Sequence, residues 1–562
     1  MKKYLFALAA FLLIFIPLYP KIPLFSPIEQ YIVRVRIEDV LILCAAIWWL
    51  FLVWKKQARW RSPLSYGIAL YIGAGILSTL SAVFITQTVP TAPLHLAKTL
   101  LHLFRYIEYF SLFFIMYAVI TSLKRAKWLI GLLSLTVILA AIYGYGQKFY
   151  YWPVYSTMNR EFSKGIRLYL TEHARVQSTF AGHYDLAAFL VITLPIILAM
   201  GLGEKKKVRK WLHYTAFFLG TWLLVISASR TPFAAYVVAI WIVVFWLGWL
   251  KPNWKSKFKF WITRFLAVYG LLFLVVYYFG SELLDRLSFA ISNDKTGLSI
   301  DIKKEVDNLA TLAKLPNSNQ LYQLLPKSKP PADAISTAEI AALVGDDLVA
   351  SLSDQPPAVF QPKPSPTPAV ISSGGSSTKP KDVFVEVPEE TYEEEIVLAD
   401  GTTQRRTIHK QRTYSDCALE RELSLCIRLE SLWPWALDGF YTNPILGVGY
   451  ATLNKQYIDE FTIAESTDNN FLRTLGETGL VGFITFYGTI ILAIRLMFKY
   501  RNTPNQFRQS FYVGLIAGTI GLLINAAYID VFVASKVALT FWSLLGIAAA
   551  LMKLEKKTTT AK

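Results

Sequence analysis

Metal-binding and redox side chains are scarce in this chain. It has three cysteines and six histidines among 562 residues, and none of them falls at zinc- or iron-ligand spacing, which argues against a metal centre. Cys417 and Cys426 belong to one expected helix. Nine residues of helix separate them by about 13.5 Å and put them on opposite faces, too far for a disulfide unless that helix breaks. Acidic residues are also few, with 39 Asp and Glu against 57 Lys and Arg, a net charge of +18. In a soluble protein that balance would suggest nucleic acid. Here the basic residues cluster in short loops between apolar runs, so they read as topology determinants and no nucleic-acid partner is expected. A nucleotide fingerprint is missing too. The pair Gly447–Gly449 lacks a strand-to-helix context, and Thr452 stands where a third glycine would be. A tight turn against the membrane is the expectation there. No internal repeat is present, and charge lies deep in one apolar run only, which weighs against a flippase or other transporter.

Apolar residues are what the chain has in plenty: 54% of the total, with 15% aromatic. The start, MKKYLFALAAFLLIFIPLYP, has the basic and apolar parts of a signal peptide but no small-x-small cleavage site, so it reads as an uncleaved first span. Further spans fall at 37–54, 64–85, 101–123, 128–147, 184–202, 211–227, 231–250 and 260–280, and three more at 478–498, 510–530 and 534–553. The fold class is therefore an all-α polytopic membrane protein of about 12 spans. A large extracytoplasmic loop between spans nine and ten carries a small α+β insert. The short loops 55–61, 124–127, 204–210, 251–259 and 499–508 are all basic, as is the tail. The positive-inside rule makes them cytoplasmic along with both termini, and it exports the stretches 148–183 and 281–477.

Four regions follow: spans one to nine (1–280), an accessory insert (281–415), a helical cap carrying the chemistry (416–477) and the last three spans (478–562). In the insert, 301–314 and 337–353 read as amphipathic helices, and a Pro/Ser/Gly-rich linker at about 355–385 cannot build a core. After the linker, YEEEIVLADGTTQRRTI reads as a β-hairpin with Asp400-Gly401 in a type I′ turn, which sets Glu395 opposite Arg406. A helix begins near Ser415, with its hydroxyl as N-cap.

Three arginines fall on the exported side at the ends of apolar runs: Arg175, Arg230 and Arg428. Snorkelling or capping would account for any one of them. Together they suggest an anion site, because guanidinium matches phosphate oxygens bidentately. In span four, His102, Arg105 and Glu108 share a helical face, and Arg105 and Glu108 are expected to neutralise each other. Just before span ten stand Asp468, Asn469 and Asn470. Asp468 is the first candidate for a proton acceptor, with Glu477 and Glu465 behind it. Its carboxylate could also cap the helix that follows.

Four stretches together resemble the bacterial O-antigen ligase and O-antigen polymerase family of membrane glycosyltransferases. They are RVQSTFAGHYDLAAFLVITLP (175–195), SASRTPF (227–233), RLESLWPWALDGFYTNPILGVGY (428–450) and STDNNFLRTLGETGLVG (466–482). The likeness covers about half the chain and leaves the insert outside. It implies a polyprenyl-diphosphate-linked glycan as donor, a glycan, lipid or protein acceptor, and metal- and cofactor-independent transfer at the outer side of the cytoplasmic membrane. It also implies that Arg230 and Arg428 hold the donor diphosphate. Arg175, Asn469, Asn470 and Glu477 are the further substrate-binding candidates among the residues. Ligase members carry a His-Asn pair where this chain has Asp468-Asn469. That leaves ligation and polymerisation both open.

Overall fold

The computed structural model describes every residue except 1, 29–30, 158–159, 171–173, 292–300, 317–389, 398–402, 411–413, 455–460, 462–465 and 561–562. It divides into two compact units, one of Met1–Pro331 with Ala436–Lys562 and one of Ala332–Trp435.

The first unit is helical. Its elements are α1 (Lys2–Leu18), α2 (Ile37–Trp54), α3 (Pro63–Phe84), α4 (Pro93–Val119), α5 (Leu123–Tyr150), the short α6 (Arg160–Ser163), α7 (His183–Gly203), α8 (Lys207–Ile226), α9 (Arg230–Trp249), α10 (Trp254–Phe279), α11 (Ser281–Ile291) and α12 (Ile302–Leu312). Helices stand at all twelve expected span positions. Among the described residues, ten are long and apolar enough to cross a membrane, and this makes the chain a polytopic membrane protein. α1, with 17 residues, and α8 are not among the ten.

Burial sorts these helices. α7 is almost wholly enclosed, whereas α2 and α10 keep most of their surface outside the protein, where lipid would cover their apolar side chains. α7 packs against α8, α9 and the helix Gln506–Ala526. Glycine permits the last of these contacts: a Cβ at Gly518 would stand 2.6 Å from the Ile192 carbonyl oxygen. α12 begins as its sequence suggests, with Asp301 accepting from the Lys304 amide. The expected helix 337–353 and the linker 355–385 lie outside the described residues.

The second unit contains the hairpin, β1 (Glu390–Val397) and β2 (Thr403–Lys410), paired antiparallel. Its register differs by one residue from expectation: Arg406 faces Glu394, and Glu395 faces Arg405. A two-residue turn at Asp400-Gly401 would pair Val397 with Gln404. The observed pairing of Val397 with Thr403 instead leaves a five-residue connection, 398–402.

Ser415 does cap a helix, its hydroxyl accepting from the Ala418 amide at 3.2 Å. That helix is not continuous. It splits into α13 (Asp416–Glu420) and α14 (Leu423–Ile427), with Arg421 out of helical geometry at φ −115°, ψ −107°. The break brings the Cα atoms of Cys417 and Cys426 to 5.8 Å, and the two form a disulfide. The third cysteine, Cys44, is a free thiol. A π-helical turn, Arg428–Leu432, follows.

The remaining helices are α15 (Trp433–Thr442), α16 (Asn470–Lys499), α17 (Gln506–Ala526) and α18 (Ser535–Thr560). α16 packs on α3 and α18 on α4.

Candidate functional site

The turn Pro444–Gly449 is present and packs on the start of α16. The Val448 and Gly449 amides donate to the Gly476 and Glu477 carbonyls at 2.9 and 3.0 Å, and the Leu480 amide returns to Pro444 at 2.9 Å. These bonds divert carbonyls from the helix ladder, and α16 kinks at Gly479 (φ +61°). Gly447 has φ +71°, and a Cβ there would stand 2.5 Å from the Glu477 carbonyl carbon. Ser78 and Thr88 donate to the Glu477 and Val448 carbonyls, both at 2.7 Å, which ties the turn to α3 and its following loop.

Beneath the turn lies a buried ionic triad. Arg473 reaches Asp530 at 2.9 Å and Glu477 at 3.2 Å, and all three side chains are under 10% exposed. Glu477 also accepts from the Ala451 amide at 3.1 Å, and Asp530 from the Thr467 amide at 2.9 Å. Glu477 was expected at substrate. Here it binds Arg473 and the backbone of the turn. Neither Arg473 nor Asp530 stood out in the sequence, although Arg473 and Glu477 have i,i+4 spacing at the head of an apolar run, which is where a paired charge is expected.

Above the triad, Asp468 has left-handed backbone geometry (φ +51°), and its Oδ1 accepts from the Ser466 hydroxyl at 2.5 Å. The helix cap is its neighbour: Asn469 Oδ1 accepts from the Phe471 and Leu472 amides at 3.0 and 3.1 Å. Capping by Asp468 is thereby corrected, because only Asn469 has the geometry to reach the first turn. Asn470 is fully buried and accepts from the Phe532 amide at 2.9 Å. Glu465 lies outside the described residues.

The arginines are placed as follows. Arg175 donates to His183 Nε2 at 2.6 Å, with its guanidinium 5.8 Å from the Tyr184 ring centre. Arg230, the first residue of α9, lies 3.5 Å from the Arg286 carbonyl. Arg428, in the second unit, donates to the Ser424 carbonyl and hydroxyl, both at 2.6 Å. In α4, Arg105 does pair with Glu108 at 2.9 Å, and it takes a second partner, Asp39 of α2, at 2.7 Å. His102 Nε2 lies 2.7 Å from the Tyr31 hydroxyl.

The first unit holds further buried cations. Lys536 donates to the Pro17, Tyr19 and Thr179 carbonyls at 3.0, 2.6 and 2.6 Å. Lys21 donates to the Ser535 hydroxyl at 2.6 Å and lies 3.5 Å from Glu38. Burial pushes the Lys21 ammonium down to about 8, the Arg36 charge pushes the same way, and Glu38 opposes both.

No protein-family model matches the chain, and no curated protein is significantly similar to it.

Proposed function

We propose that the chain transfers a glycan from a polyprenyl-diphosphate donor to an acceptor hydroxyl at the outer side of the cytoplasmic membrane, as an O-antigen ligase-like glycosyltransferase. The observation that carries this reading is the setting of Asp468. Its carboxylate is not used as the helix cap, its backbone is held in an unfavourable region, and the segment under it is pinned by the Arg473–Glu477–Asp530 triad. A proton acceptor fixed in this way suits general-base catalysis.

In the reaction, the acceptor oxygen bonds to the anomeric carbon as the bond from that carbon to the diphosphate oxygen breaks. The hydroxyl proton passes to Asp468, and the bonding pair leaves with the polyprenyl diphosphate. Negative charge grows on the departing oxygen, and a cationic donor such as Arg230 would stabilise it. The Cys417–Cys426 disulfide supports an exported position for its segment, since such bonds persist in oxidising compartments.

The test uses the purified full-length chain in proteoliposomes with a lipid-diphosphate glycan and an acceptor glycolipid. Asp468→Asn is expected to bind donor and to lose turnover by roughly 100-fold or more, the usual worth of a general base. Arg230→Ala is expected to weaken donor binding. Parent-like turnover in both variants would refute the reading, and movement of the donor across the bilayer without transfer would replace it with transport.

A further inference from the structure

A cavity of about 230 Å³ opens in the first unit among the loop after α1, the middle of α4, the start of α7 and the link between α17 and α18. Arg36, Lys21, Arg105, Asp185, Thr157 and Ser535 contribute to its lining. Most charges around it are already matched. Lys21 has Glu38, Arg105 has both Asp39 and Glu108, and Lys536 is surrounded by three carbonyls.

Arg36 differs from these. It is only 6% exposed, its Nε is buried without a hydrogen-bond partner, and among the described residues no carboxylate lies within 4.0 Å of its guanidinium. An arginine buried in this way is costly unless something anionic completes it. The carboxylate of Asp185 and the hydroxyls of Thr157 and Ser535 add groups that bind alcohols. The volume is below the roughly 300–1,000 Å³ of sites for drug-sized ligands, and so it suits a headgroup.

We propose that this cavity binds a phosphate-bearing headgroup, with Arg36 on the phosphate oxygens and Asp185 on a hydroxyl of the attached alcohol. Guanidinium suits the first task because its paired N–H groups match two phosphate oxygens. The site is separate from the glycan-transfer proposal, since Arg175, Arg230, Asp468, Asn469, Asn470 and Glu477 do not line it.

The full-length chain in phosphatidylcholine nanodiscs provides the test, with two probes. One is radiolabelled inorganic phosphate, followed by equilibrium dialysis. The other is phosphatidylglycerol added to the nanodiscs, followed by native mass spectrometry of the lipid retained. Binding of the phosphatidylglycerol alone identifies a lipid headgroup, and binding of phosphate identifies a soluble source. In either case Arg36→Ala is expected to lower occupancy roughly tenfold or more, the worth of a lost charge-assisted hydrogen bond, and Arg36→Lys to restore part of it. Ala181→Leu keeps every charge and fills the cavity, so it should lose the ligand even where Arg36→Ala does not fold. The proposal is overturned if the parent binds neither probe, or if Ala181→Leu binds both as the parent does.

Discussion

Replacing Arg473 by methionine isolates the energetics of the buried triad. Methionine fills most of the volume and removes the charge, leaving two carboxylates that are under 10% exposed. Two of their hydrogen bonds remain: Thr467 N to Asp530 and Ala451 N to Glu477. The two ion contacts, at 2.9 and 3.2 Å, are lost. Charge-assisted bonds contribute roughly 1.5–3 kcal/mol each, and breaking a buried pair from one side costs about 3–5 kcal/mol, because the remaining charge is uncompensated. Protonation of one carboxylate relieves part of this at about 1.4 kcal/mol per pH unit. The expected loss is therefore about 3–5 kcal/mol at neutral pH, read as a melting temperature lowered by roughly 2.5–4 °C in a chain of this size.

Thermal unfolding in detergent, followed by tryptophan fluorescence, measures this loss. A double-mutant cycle with Glu477→Gln separates the pair from general damage. The double variant should be less destabilised than the two single variants added together, since the glutamine amide can stay buried uncharged. If Arg473→Met melts within about 1 °C of the parent, or if the coupling is below about 0.5 kcal/mol, the triad is not what holds the 466–477 segment. The argument for a fixed Asp468 would then fail with it.

Gly447→Ala should destabilise by about 2 kcal/mol or more, since its φ is positive and its Cβ would meet the Glu477 backbone, whereas Gly488→Ala, with open space around it, should be neutral or stabilising in the same melt. Equal effects of the two would refute the turn geometry. Maleimide labelling of the denatured, unreduced chain should modify one cysteine, Cys44, and three after reduction; three before reduction would exclude the disulfide. Lys21 titrates near 8 in the folded chain against 10.5 unfolded, so between those values the unfolded state binds more proton. Stability should accordingly rise with pH across that window, by about 3 kcal/mol at most, and Lys21→Met should flatten the rise. A parent profile as flat as that of the variant would refute the shift.

Apolar runs made the helical layout legible, because a span declares itself through some twenty consecutive residues. Features set by one or two residues were not so legible. The hairpin pattern alternates equally well in either register, and only the length of the turn decides whether Arg406 meets Glu395 or Glu394. The break at Arg421 has no proline or glycine to announce it; it is visible in the structure together with the disulfide that spans it. Long-range pairs were the least accessible. Arg473 meets Asp530 across 57 residues and Arg105 meets Asp39 across 66, and in each case only one of the two pairings lay within a single helix. The i,i+3 partner Glu108 could be named, whereas Asp39 could not.

The buried cations divide by what surrounds them. Lys536, Arg105 and Arg473 have protein partners that match their charge or fill their donor positions, and each joins elements distant in the chain. Removing any of them should first show as lost stability. Arg36 is as deeply buried but faces a cavity; the charges of Glu38 and Asp39 offset part of its burial cost, and an anion in the cavity would offset more. A charge of the first kind holds the fold in the free protein, and one of the second kind gains its partner on binding. Addition of the phosphate-bearing ligand should therefore raise the melting temperature of the parent and leave that of Arg36→Ala unmoved, whereas Arg473→Met should still respond to it.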